Sequence, residues 1–354
     1  MRQAMVTVAQ PADPERRRRL LAAKLRALIK RGWPDVDVPE PTAAAGGVAV
    51  RVRGAGWVLP DDSECVRGFA RALLWGLHRH VEELHVLFDA ASGLEAVARQ
   101  AACFRTSVAV WAVTGATPTP AEAPPLPSEP PLDSRAEPFR DIITAAGAEA
   151  VEEWGVLSGE VLGLQVARVC TNGGGGWIEV GIGKHDRRAN QLAWGDQPPA
   201  EALVRVIAPA LEARRSGDLN HPLNQLGRER WLRHHVRQRP DLIGLAALTP
   251  IAPPRPLGDL RVPLLAPGLG HAADGRAVLV ACSVGFDPAF VPMAAELHTG
   301  RVTADTPLVL VLPERDVHPL TRTAVADLRA PAEVRTVPDD WYTIAADTDV
   351  QPNP

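Results

Sequence analysis

The chain has 354 residues, of which 46% are apolar and 23% charged, and its net charge is −4. That composition belongs to a globular protein and excludes collagen, coiled coil and wholesale disorder. The small negative balance gives no bulk electrostatic signal for nucleic acid, and no run of about 18 apolar residues lacks a charge, so no membrane span is expected.

Only three lysines occur, Lys24, Lys30 and Lys184, against 35 arginines. With Ala, Pro and Gly abundant, this bias looks like that of a GC-rich, bacterial coding sequence. The four cysteines, Cys65, Cys103, Cys170 and Cys282, are scattered and form no CxxC. They are expected to be small buried thiols in a reducing cytoplasm, without a zinc ribbon or disulfide framework.

The first predicted domain is 1–116, α/β with a basic helix. Arg2 to Arg31 carries nine bases and two acids, a net of +7. Leu21, Leu25, Leu28 and Ile29 form one stripe there, as in an amphipathic helix. Such a helix attracts nucleic acid or an acidic lipid surface, or lies solvated on its own domain. Strand-like 47–59 contains a glycine break; helix 65–80, strand 83–90, helix 92–104 capped by Ser92, and strand 106–115 follow. The alternation predicts a partly parallel sheet with right-handed crossovers.

Residues 116–138 hold eight prolines, and 117–137 is read as an extended, semi-rigid linker. The central segment, 138–249, is expected to hold a helix over 138–154. Strands over 159–170 and 177–185 are joined by TNGGGG, whose four glycines predict a long tip. Helices over 199–215 and 221–239 follow, Pro199 sitting near the first helical position. The last segment, 250–345, opens on a second proline-rich stretch. It continues as strand 275–286, helix 287–298 capped by Asp287, strand 307–316, helix 318–331 and strand 332–337. Residues 346–354 are expected to be a disordered tail. The fold class is therefore α/β: two βαβ-type segments flank a central hairpin-plus-helices segment, with Pro-rich linkers. The first and last segments share a rhythm that a duplication would explain, though no residue-level repeat accompanies it.

One constellation carries chemistry. Glu179 sits inside an otherwise apolar strand, where an unpaired carboxylate is costly. Lys184 is the only lysine after residue 30, and an ammonium can act on a phosphate or water in ways a guanidinium cannot. With Glu160, these residues resemble the PD-(D/E)xK restriction-endonuclease-like nucleases, which place acids and a lysine on a hairpin after a helix, with a further helix and strand completing the core. The resemblance implies that Glu160 and Glu179 bind Mg²⁺ and that Lys184 assists the water or phosphate. The family's Pro-Asp pair is absent here, and four residues separate Glu179 from Lys184. An offset of five puts them on opposite faces of a regular strand unless a bulge at Gly181 or Gly183 intervenes. The alternative is that they flank a structural turn and pair with Arg187 or Arg188.

Arg228, Arg230, Arg233 and Arg237, with Trp231 among them, suit phosphate tracking and base stacking; they equally suit the wet face of an amphipathic helix. ACSVG at 281–285 mimics a nucleophile elbow, with Asp316 and His318 downstream, but the next helix starts too late for Ser283 to occupy a tight strand-to-helix turn. Glu314, Asp316 and His318 lie beyond a buried strand, either lining a crevice or capping the next helix. No NAD, FAD or NTP motif is present. The expected function is a nucleic-acid-processing protein with a metal-dependent nuclease-like core. The alternative is a non-catalytic interaction or assembly protein with a protein partner.

Overall fold

The structure, a computed structural model, describes residues 13–44, 46–62, 64–89, 92–194 and 197–343; the 346–354 tail lies outside them. The chain divides into two compact units, 1–124 and 125–354.

Unit one runs α1 (Pro14–Gly32), β1 (Thr42–Ala44), β2 (Gly47–Val52), β3 (Ala55–Pro60), α2 (Cys65–His78), β4 (Glu83–Phe88), α3 (Leu94–Ala102), β5 (Ser107–Thr114) and β6 (Thr117–Pro120). The six strands form one sheet in sequence order. β3, β4 and β5 are parallel, and the other pairings are antiparallel. The glycine break in 47–59 is a hairpin turn at Arg53–Gly54, and Gly93 rather than Ser92 caps α3. The start of the proline-rich stretch is itself a strand, β6, which lies at the sheet edge where proline's missing N–H costs no ladder bond. Leu25, Leu28 and Ile29 of α1 pack with Val48, Val50, Trp57 and Leu59 into one core cluster.

Three tryptophans surround His85 in this unit. Trp57 stacks on its ring at 5.1 Å, and Trp33 and Trp111 lie at 4.8 and 5.9 Å. Trp111 Nε1 donates to His85 Nδ1 over 3.2 Å, so the neutral ring carries its proton on Nε2, 3.3 Å from Glu83 Oε1. Burial pushes the imidazole pKa down, and Glu83 opposes it.

Unit two begins with α4 (Phe139–Ala145), β7 (Glu149–Glu153), β8 (Val156–Val161), β9 (Leu164–Asn172), β10 (Gly175–Val180), α5 (Gly183–Trp194) and α6 (Pro199–Ser216). The strands form an antiparallel sheet in the order β10-β9-β8-β7. The sequence reading differs here in three places. Gly147, at φ 91, ends α4, so the rest of 138–154 is strand and not helix. The run 159–170 is two strands joined by Leu162–Gly163, both at positive φ. The glycine tip is a two-residue turn, because Asn172 pairs with Gly175.

The unit continues with α7 (Arg228–Gln238), β11 (Ala247–Pro250), β12 (Ala266–His271), β13 (Ala277–Cys282), α8 (Phe290–Arg301), β14 (Leu308–Pro313), α9 (Pro319–Ala326) and β15 (Ala332–Val337). The sheet runs β11 to β15 in order, with β13, β14 and β15 parallel. Sequence reading missed β11 and β12, which fall beside and after the second proline-rich stretch. The succession α7-β11-β12-β13-α8-β14-α9-β15 repeats α1-β1-β2-β3-α2-β4-α3-β5 element for element and pairing for pairing. The shared rhythm of the first and last segments is thus a shared topology.

His85 has a folded pKa below its unfolded value, so its contribution to stability is present above about pH 6.5 and is lost as pH falls through the folded value. Tryptophan-monitored thermal unfolding should show unit one weakening from pH 7.5 to pH 5. His85→Gln should flatten that dependence; an unchanged slope would remove His85 as its source.

Candidate functional site

Glu160 is not at the surface. Strand alternation puts Glu149 and Glu153 of β7 on the face that carries Glu160 of β8. Helix α7 lies against them. Its Trp231, Leu232 and Val236 pack into the core of the five-stranded sheet, while Arg230, Arg233 and Arg237, at helical spacing, turn towards the carboxylates. Arg230 binds both Glu153 and Glu160. Arg233 lies 3.4 Å from Glu153 and 3.9 Å from Glu160. Arg237 holds Glu149 with two hydrogen bonds. Arg233 Nη1 also donates to the Pro267 carbonyl of β12 over 3.2 Å.

The electrostatics follow from that enclosure. Burial lifts the Glu160 carboxyl although Arg230 and Arg233 pull against it. Burial disfavours the Arg230 charge too, but Glu160 and Glu153 hold its pKa above the ordinary range. Burial also raises Glu149, yet His234 and Arg237 bring it down to about 2. From sequence these arginines suit either a nucleic-acid backbone or the wet face of an amphipathic helix. In the structure Arg230 and Arg233 are only 5% and 3% exposed, and Arg228 and Arg237 are half-buried. The reason is that α7 is covered on two sides, whereas an amphipathic pattern suggests one wet face. Sequence reasoning missed Glu149 and Glu153, whose spacing of four fits the helix expected there.

Glu160, Glu179 and Lys184 are not brought together. Glu179 pairs across the sheet with Arg168 of β9, while Glu160 pairs with Gln165 beyond an irregularity at Gly159. Glu179 meets Arg187 of α5 at 3.6 Å, as in the alternative weighed from sequence. The strand does not reach 185: Gly181 and Gly183, at φ 142 and 78, turn the chain into α5. Lys184 is therefore an exposed residue in the first turn of a helix. Among the described residues, no group of three or more His, Cys, Asp or Glu side chains is placed to hold a metal.

Glu179 instead lines a cleft of about 520 Å³. Phe139 and Trp177 supply aromatic surface, and Asn172, Asn190, Gln191 and Gln197 supply amides. β10 ends its sheet. The tight turn makes Asn172–Gly175 a mutually bonded pair, and Gly181 N–H bonds to the Val166 carbonyl over 2.7 Å. Alternation then directs the N–H and C=O of Gly176, Ile178 and Val180 away from β9. Asn190 Nδ2 already donates to the outward Val180 carbonyl over 3.1 Å.

The remaining motifs are used structurally. Asp316 accepts from Gly285 N–H over 2.7 Å, and His318 Nδ1 caps α9 by accepting from Leu320 N–H over 3.1 Å. Ser283 is buried on the extension of β13, with α8 starting at Phe290. Asp287 accepts from Ala289 N–H ahead of that helix, where Ala289 is the cap position.

At the start of α7, Arg214 lies over the Trp231 ring at 4.3 Å and donates to the Leu226 carbonyl. Burial pushes its pKa down to about 9, and pushes that of nearby Glu229 up to about 7.

Arg230→Ala strands Glu153 and Glu160 and should cost unit two about 3–5 kcal/mol in denaturant unfolding, whereas Arg230→Met with Glu153→Leu and Glu160→Leu should recover most of it. Glu229 has a raised folded pKa, so its favourable contribution holds below about pH 4.5 and is lost as pH rises through about 7. Glu229→Gln should stabilise the unit at pH 8 by on the order of 3 kcal/mol and little at pH 5; equal effects at both pH values would refute the titration. In comparisons with known proteins, no family model, no curated protein and no solved structure matches this chain.

Proposed function

We propose that the chain is a non-catalytic interaction protein whose second unit takes an extended segment of a partner polypeptide along the edge of β10. The cleft carries this reading. Its lining includes the consecutive residues 176–180. Side chains of a strand alternate between faces, so one cleft meets five residues in a row only along the strand's edge. A peptide laid there gains main-chain hydrogen bonds from Gly176 and Ile178, the Val180 carbonyl being taken by Asn190. Trp177 and Phe139 offer it apolar surface, the four amides offer donors and acceptors, and Glu179 offers a charge.

Two observations support the non-catalytic part. Glu160 is enclosed by Arg230 and Arg233. Lys184 lies in the first turn of α5 and not on the strand that carries Glu179.

The competing proposal is Mg²⁺-dependent nucleic-acid cleavage by Glu160, Glu179 and Lys184, and one set of samples tests both. A displayed library of random heptapeptides is selected on the full chain, and labelled DNA and RNA are incubated with it in Mg²⁺, Mn²⁺ or EDTA. Enriched peptides should bind Trp177→Ala at least about tenfold more weakly, a loss of 1.4 kcal/mol, and the nucleic acids should stay intact. Metal-dependent cleavage lost in both Glu179→Ala and Lys184→Ala would overturn the peptide reading in favour of the nuclease, and a selection without enrichment would also count against it.

A further inference from the structure

Helix α1 concentrates charge. Its 19 residues hold eight bases and the single acid Glu15, a net of +7. The chain total is −4, so the remaining residues carry −11. Its buried side is apolar: Ala22, Leu25, Leu28 and Ile29 face the sheet. The opposite side exposes Arg16, Leu20, Ala23, Ala27, Lys30 and Arg31. At 100° per residue, Leu20, Ala23 and Ala27 form a low central ridge, with bases on either flank and at both ends.

Four bases have acidic partners in unit one: Arg17 with Asp61 at 2.5 Å, Arg19 with Glu15 at 3.4 Å, Lys24 with Asp89 at 2.6 Å and Arg26 with Glu40 at 3.6 Å. Such exposed pairs contribute little in water and are screened by salt, so their bases can turn to a stronger anion. From Arg16 to Arg31 the helix spans about 22 Å at 1.5 Å per residue.

From this arrangement we infer that α1 is a docking face for the phosphate backbone of a duplex nucleic acid. Charge complementarity selects a polyanion. Six of the eight bases are arginine, whose planar fork matches phosphate oxygens. The low alanine ridge lets a backbone approach between the flanking guanidiniums. A lipid surface fits less well, because the bulky apolar residues of α1 other than Leu20 are turned inward and cannot enter an acyl layer. Single strands fit less well too, since the helix has no aromatic residue on which bases could stack. The contact is to backbone, so it reads shape and charge without sequence. It is separate from the peptide cleft of unit two and does not rest on it.

The test uses the full chain and fluorescently labelled 20-base-pair DNA and RNA duplexes. The matching single strands and vesicles containing anionic phospholipid run alongside, from 50 to 200 mM KCl. In one variant Arg16, Arg18, Lys30 and Arg31 become Gln; in a control, exposed Arg188, Arg215, Arg322 and Arg329 become Gln, removing the same charge elsewhere. Near-ultraviolet circular dichroism of both variants must match wild type. Duplex binding at 50 mM salt should weaken at least tenfold in the α1 variant and less than twofold in the control. The slope of log affinity against log salt should become shallower by about 0.9 for each phosphate contact removed. Equal losses in the two variants, absence of duplex binding, or vesicle binding without duplex binding would each overturn the assignment.

Discussion

The second unit depends on how α7 is held. One side of this helix is ordinary core, with Trp231, Leu232 and Val236 against the five-stranded sheet. The other presents guanidiniums to three carboxylates of the antiparallel sheet. Neither set of charges has a low-energy alternative in that enclosure. Burial of an ion pair is not in itself a source of stability, because desolvation offsets the Coulomb gain. It does impose specificity: a shifted helix would leave charges without partners. The backbone enforces the same registration. A Cβ on Gly163 would come within 2.4 Å of the Arg230 carbonyl carbon, and Gly163 itself sits at φ 77. The β8–β9 turn therefore presses directly on the helix, and only glycine serves both the conformation and the approach.

Much of the α/β architecture was legible because its signals are local. The runs that became β4, β5, β13 and β14 are short, apolar and bounded by helical spacing, as buried parallel strands should be. Errors clustered where two short strands sit close in sequence. In 47–59 and 159–170, two-residue turns are hidden inside apolar runs, and Arg53 and Leu162 take positive φ without the usual residue type. EAVEE was absorbed into a helix because glutamates four apart suit a helix face as well as alternate positions on a strand.

The candidate site was less legible for a different reason. Glu179 was singled out as a carboxylate in an apolar strand, and the structure gives it Arg187 and a place in the cleft. The edge groups of β10 that make the cleft suitable for a peptide belong to the backbone and leave no mark in residue identity. The arginines of α7 mislead because an amphipathic helix and a helix between two layers share one pattern when the second layer is charged. A pattern of polar positions records which side is not apolar; it does not record whether that side meets water. Two copies of one topology likewise escaped residue comparison, since hydrophobic strands and crossovers can be rebuilt from different residues.

The placement of the network also bears on how the unit comes apart. Arg230 reaches partners 70 and 77 positions away, and Arg237 reaches one 88 away. The hairpins that carry those partners close over two-residue turns, and such local pairing forms in about 1–10 μs. Contacts across 70 or more residues carry a larger loop-closure cost and come later. Interactions made after the folding barrier hold the native state by slowing escape from it. Where the charged layer beneath α7 assembles after that barrier, it works as a latch on unfolding, setting the lifetime of the folded unit more than the speed at which it is reached.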